Sequence, residues 1–141
     1  MNREELITQY IDGHQAMSKA LRTRFSKVFA DEGFSLALVG VLAAVKHKQP
    51  ISSREVATEL GVTRGAVAQF VDALVQFGLI EKNVDTNDRR ISYLTLTKEG
   101  KAKLRKFEQF RNKLTKEITK SLSDAELEQI IKINSKILQE L

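Results

Sequence analysis

The chain has 141 residues, with 23 Lys+Arg against 18 Asp+Glu and a formal charge of +5. Hydrophobic residues make up 42%, enough to build a core and too much for a disordered chain. It has no cysteine, which excludes disulfides, cysteine zinc sites, iron–sulfur clusters and thiol chemistry. The length suits one domain, or one compact subunit with an extension. The opening Met1-Asn2-Arg3-Glu4-Glu5 is acidic, unlike a signal peptide. The longest apolar stretch, Leu36 to Val45, is far short of the ~20 residues a membrane helix needs. The expectation is a cytoplasmic protein with no membrane contact.

With 7 Gly and 1 Pro, the chain has few helix breakers, and a mainly helical fold is expected. From Arg3 to Ala30, apolar residues such as Leu6, Tyr10, Met17, Leu21, Phe25 and Phe29 recur at helical spacing and predict one long helix. Gly33 reads as its stop. Ser35 can cap a second helix, Leu36 to Lys46, apolar nearly all round and so expected to be buried. Pro50 ends it, and Pro50-Ile51 reads as a short extended piece.

Ser52-Ser53-Arg54-Glu55 has the pattern of a capping box opening a third helix. Gly61 stops that helix, and Thr63 caps a fourth from Arg64 to Phe77, ended by Gly78. Leu79–Val84 and Ile91–Leu96 are β-rich runs around the polar Asp85–Arg90, the signature of a hairpin. Thr97 caps a fifth helix running to Ser121, and Ser123–Glu126 is a second capping box opening the last.

The third and fourth helices, joined by Gly61-Val62-Thr63, form a helix-turn-helix. Ala57 is small where the two helices approach, and Val62 is expected to point inward and pin the turn. The outer face of the second of these helices begins with Arg64, Gly65, Ala66 and Gln69. An Arg pairs with guanine and a Gln with adenine in a major groove, while small residues allow close approach. Thr63 and the free N–H groups at the helix start suit a phosphate, and Ser53 opens the neighbouring helix. The hairpin follows directly, as a wing. Its tip carries Arg89 and Arg90, suited to a narrow minor groove, with Asp88 placed to orient Arg90.

These residues resemble the MarR family (multiple-antibiotic-resistance regulators). The resemblance lies in Val56–Val67, Leu74–Ile80, the Asp-x-Arg of Asp88 and Arg90, and the Leu-Thr-x-x-Gly of Leu96 to Gly100. It implies a winged helix-turn-helix domain plus a helical dimerisation region. Residues 1–34 would be a dimerisation helix, 35–97 the DNA-binding domain, and 98–141 two further dimerisation helices. It further implies a homodimeric regulator, usually a repressor, acting on a palindromic double-stranded DNA operator. The DNA-binding set would be Ser53, Thr63, Arg64, Gly65, Ala66, Gln69, Asp88, Arg89 and Arg90.

Many members of that family release DNA when a small aromatic or anionic effector binds. Tyr10, His14, Met17 and Phe34 are the expected lining of such a site. Thiol sensing is closed without cysteine, and His14 and His47 are too few for a multi-histidine zinc site. No metal, cofactor or enzymatic activity is expected. The alternative is a winged-helix protein-interaction module that does not touch DNA.

The basic excess is not on the expected reading head. Residues 50–97 carry five basic and six acidic side chains, whereas residues 98–120 carry nine and three. DNA binding therefore rests on a few placed residues rather than on overall charge.

Overall fold

The computed structural model describes residues 1–141. Six α-helices and three short strands follow in the order α1 Arg3–Phe29, α2 Leu36–Lys48, β1 Ile51–Ser52, α3 Ser53–Leu60, α4 Arg64–Gln76, β2 Ile80–Val84, β3 Ser92–Leu96, α5 Lys98–Thr119 and α6 Asp124–Gln139, with a short 3-10 turn Ala30–Glu32 after α1. The chain divides into two compact units, Met1–Leu104 and Arg105–Leu141. No single helix is long and apolar enough to cross a membrane.

The helix starts are set by side-chain caps. Ser35, Ser52, Thr63 and Ser123 each accept a backbone N–H from the first turn of the helix they open. Ser52–Glu55 and Ser123–Glu126 are reciprocal capping boxes, as their spacing predicts. Asn2 and Glu5 form a third, at the start of α1. In the two Ser boxes, the Ser backbone N–H and then its hydroxyl hold the glutamate below the usual carboxylate range. Each such cap is worth roughly 1 kcal/mol against alanine. Gly33, Gly61 and Gly78 end their segments at positive φ, the conformation that favours glycine.

In the first unit, α2 is the hub. Its Val41, Leu42 and Val45 have no exposed surface, and it contacts α3, α4 and β3. Val56, Val67, Val71, Leu74, Ile51 and Leu94 complete this core. The sheet has three antiparallel strands in the order β1-β3-β2, so the hairpin is not alone. Ile51 pairs with Leu94, and β2 pairs with β3 from Ile80↔Leu96 to Val84↔Ser92. The extended piece after Pro50 thus becomes an edge strand. Beyond its two residues, the Gln49 side-chain carbonyl takes the Leu96 N–H at 3.1 Å.

Val62 departs from expectation: it is 39% exposed and does not pin the turn. The backbone does this instead. The Val62 N–H bonds the Ala57 carbonyl at 3.1 Å, and Gly61 supplies the left-handed residue that makes the bond reachable.

The start of α5 is clasped to the exit of α4. The Thr97 N–H reaches the Leu79 carbonyl at 3.1 Å, and its hydroxyl donates to the Gly78 carbonyl at 2.6 Å. The same hydroxyl accepts the Gly100 N–H at 3.0 Å. A Cβ on Gly100 would lie 2.0 Å from the Leu79 oxygen, so only glycine fits. Nearby, Phe34 meets Phe29 and Phe77 with ring centroids 6.4 and 6.1 Å away. The Lys103 ammonium pairs with Glu32 and lies 4.9 Å from the centre of the Phe34 ring.

On α5, Leu104, Phe107 and Leu114 are buried, while Ile118 remains exposed. Much of α1 and α6 is apolar and uncovered, including Leu6, Ile7, Ile11, Ile130, Ile131 and Ile137.

Gly100→Ala is expected to lower folding stability by about 1–3 kcal/mol or more, because a methyl group must enter a closed backbone contact. Gly13→Ala, with nothing near the added Cβ, should instead stabilise α1 by about 0.5–1 kcal/mol. Urea unfolding of the two variants checks the opposite signs.

Candidate nucleic-acid interface

Three local devices build one cleft. The capping box of α3 presents Ser52, Ser53 and Arg54 at a helix start. Thr63 opens α4, taking the Ala66 N–H at 3.1 Å and leaving Arg64 exposed at its first position. The third device is the wing.

Asp85 shapes the wing tip. Its carboxylate accepts the N–H groups of Asn87 at 2.7 Å and Asp88 at 3.1 Å, a turn in which a side chain replaces a backbone carbonyl. The Asp85 N–H then bonds the Ile91 carbonyl and closes the loop. Asp88 in turn holds Arg90. Its two carboxylate oxygens accept Nε and Nη2 of Arg90, each at 3.1 Å, in a planar fork. The Arg90 backbone N–H adds a third bond at 3.0 Å. The Arg90 side chain is nevertheless 89% exposed. An exposed ion pair contributes little to stability. What this fork supplies is direction: it fixes a cation that would otherwise sample many rotamers.

Ser52, Ser53, Arg54, Arg64, Asp88, Arg90, Ile91, Ser92 and Tyr93 line a cleft of about 570 Å³. The Ser53 and Ser92 hydroxyls approach to 3.4 Å across it. A second hollow of about 490 Å³ runs along the turn side, lined by Arg54, Thr58, Val62, Thr63 and Arg64 among others. The arrangement offers guanidinium groups, hydroxyls and free helix-start N–H groups on one exposed face. These are donors matched to phosphate oxygens and base edges.

Of the residues picked out in the sequence, Ser53, Arg64, Asp88 and Arg90 share the cleft, and Thr63 lies in the adjoining hollow. Gly65 and Gln69 are exposed one turn apart on the outer face of α4, and Ala66 is half-buried. Arg89 is exposed but does not line the cleft.

Outside that expected set lie Ser52, Arg54, Ile91, Ser92 and Tyr93 of the cleft and Asp85 of the wing tip. Arg54 lines both hollows, and its only sequence signal was its place inside the capping box. Asp85 could have been found from the rule that an Asp opening a turn binds the N–H groups two and three residues ahead.

The four expected effector residues do not meet within one chain. Tyr10 stacks on His14 at 6.0 Å between centroids, and Met17 is 54% exposed on the same helix. Phe34 is buried against Phe29, which lies about 28 Å along the α1 axis from Tyr10. No group of three or more His, Asp or Glu side chains is placed to share a metal ion.

The Asp88 carboxyl lies below the usual carboxylate range, first because of the Arg90 side chain and then because of its backbone N–H. The sign follows from that direction. The fork is complete above the ordinary Asp value and is lost as pH falls through the lowered one. Arg90→Ala should therefore move the Asp88 titration midpoint upward, read by carboxyl carbon chemical shift. An unmoved midpoint would mean the fork does not form in solution.

The sequence model of the MarR family matches residues 34–92. The HTH-type transcriptional repressor MdtR of Bacillus subtilis is 28% identical over 125 residues, spanning 89% of this chain and 81% of its own length. The crystal structure of YusO from Bacillus subtilis superimposes over 100% of both chains at TM-score 0.77 and 26% identity. The S. aureus MepR–DNA complex shares the fold, at TM-score 0.78 and 19% identity over 100% of this chain and 99% of that one. The match falls on α2 through the wing, the segment that carries the cleft, and the fold likeness covers the whole chain. Over residues 34–92 the chain is of the MarR type, and as a whole it resembles the DNA-binding transcriptional regulators of that family.

Proposed function

We propose that the chain is a transcriptional repressor that binds a palindromic operator as a homodimer and is released by a small ligand. The observation that carries the reading is the fork of Asp88 and Arg90 facing Arg64 across one cleft. In this reading the fork is a directed minor-groove cation beside the start of a recognition helix. In this reading α4 enters the major groove with Arg64, Gly65, Ala66 and Gln69 toward the bases. Ser53 and Thr63 take phosphates, and Arg89 and Arg90 take the minor groove.

Homodimerisation is supported by the uncovered apolar faces of residues 1–34 and 98–141. Ten large apolar side chains on α1 and α6 are roughly half-exposed: Leu6, Ile7, Tyr10, Ile11, Met17, Ile130, Ile131, Ile133, Ile137 and Leu138. Covering each would yield about 1 kcal/mol, or about 20 kcal/mol for two copies. That exceeds the roughly 4–15 kcal/mol cost of association. A closed two-fold pair then holds two copies of the 35–97 domain, whose recognition helices must sit about 34–36 Å apart to reach successive turns of one DNA face.

An effector acts by preferring a different spacing of the two domains. Tyr10, His14 and Met17 sit together on α1 but Phe34 is remote from them in one chain, so a site using all four would draw on both copies. A small aromatic or anionic compound fits their mixed aromatic and imidazole character.

Arg90→Ala should weaken operator binding by about 10-fold or more while leaving the unfolding midpoint unchanged. Arg64→Ala should instead cost about 1–3 kcal/mol at one base position and relax preference there. Fluorescence anisotropy on an inverted repeat from the promoter of its own gene, with base-substituted controls, separates the two effects. Equal operator affinity of parent and Arg90→Ala would sink the wing assignment.

A further inference from the structure

The largest concentration of charge lies outside the cleft, on α5. Residues 98–120 carry nine basic and three acidic side chains. At about 100° per residue, Lys98, Lys101, Arg105, Lys113 and Lys116 fall within an arc of about 120°. Gln109 and Asn112 fill the gap between Arg105 and Lys113. All seven side chains are exposed. Glu99, Glu108 and Glu117 lie outside the arc. The arc also points away from Leu104, Phe107 and Leu114, the buried stripe of the same helix. Lys103 is not part of it, being engaged with Glu32 and the Phe34 ring. The result is an acid-free basic track about 27 Å long on one unbroken helix.

The chemistry of the track selects its partner. It holds no aromatic or large apolar side chain, so it has nothing to insert between lipid chains or to stack on unpaired bases. Four of its five cations are lysines, point charges on flexible stems that follow a line of phosphates without reading bases. A second copy of the same track would repel it. Its length approaches one turn of a DNA duplex. It is also separate from the reading end: Thr97 is clasped to the exit of α4, and Arg64 lies at the other end of that helix, about 20 Å away.

We propose that this face of α5 binds the phosphate backbone of double-stranded DNA, independently of sequence, as a second contact apart from the operator cleft. The proposal does not depend on a dimer, a palindrome or an effector.

The test uses the full chain carrying Arg64→Ala and Arg90→Ala, which disables the reading head, and a random 30-base-pair duplex as probe. This protein is expected to bind the duplex with affinity falling about 500-fold from 50 to 200 mM salt, as five released counterions require. Adding Lys98→Gln, Lys101→Gln, Arg105→Gln, Lys113→Gln and Lys116→Gln keeps helix propensity and should weaken that binding at least 10-fold at 50 mM salt. With an intact head, the same five changes should leave discrimination between operator and random duplex unaltered. If the operator reading is wrong, that discrimination is absent in the parent, yet the five changes still weaken random-duplex binding. The proposal is overturned if the glutamines leave random-duplex binding intact. It is also overturned if they abolish binding to phosphatidylserine vesicles rather than to duplex. A change of oligomeric mass in sedimentation would overturn it too, by assigning the track to a subunit contact.

Discussion

One backbone corner joins the exit of α4 to the end of β3 and the start of α5. The carbonyls of Gly78 and Leu79 are both taken by Thr97, through its hydroxyl and its N–H. The same hydroxyl receives the N–H of Gly100, so one side chain ends β3, opens α5 and ties both to the exit of α4. The approach is so close that Gly100 has no room for a Cβ. This gives the Leu-Thr-x-x-Gly run a physical meaning. The threonine supplies a donor and an acceptor at one point, and the glycine supplies the absence of a side chain.

Around this corner the molecule separates two kinds of surface. The 35–97 segment buries its apolar residues in a closed core centred on α2, and presents polar groups outward. The long helices bury only part of their apolar faces, and α1 and α6 keep several isoleucines and leucines in water. A closed core needs nothing further for stability. The uncovered faces are unsatisfied until another surface covers them, and the proposed homodimer is the symmetric solution.

Electrostatics on the reading face work by placement. The segment is close to neutral, so it gains little from a long-range field. Its strength lies in fixed directions: Asp85 sets the turn, Asp88 holds the Arg90 guanidinium, and Thr63 starts α4 at Arg64. Two of these three organisers are acidic, which lowers the net charge while improving the aim of the cations. The bulk of the positive charge runs along α5 instead, without comparable orientation, as expected of a surface that attracts phosphates without selecting among bases.

Local chemistry was legible in the residues alone. Caps at Ser35, Ser52, Thr63 and Ser123, the stops at Gly33, Gly61 and Gly78, and the Asp88–Arg90 pair all act over two to four residues, and such short-range geometry is nearly independent of the rest of the chain. The helix-turn-helix and its wing followed from these signals in order. What tertiary structure decided acts across longer separations. Ile51 became a third strand because Leu94, far along the chain, offers it a free edge. Val62 stayed outside because a backbone bond already closes its turn. Arg54 joined the cleft because α3 and the wing converge there. Phe34 went to a cluster with Phe29 and Phe77, far from Tyr10, because about five turns of the continuous helix α1 separate Phe29 from Tyr10. Periodicity states which face of a helix is apolar. Only packing determines what that face meets, because burial depends on partners the local sequence does not contain.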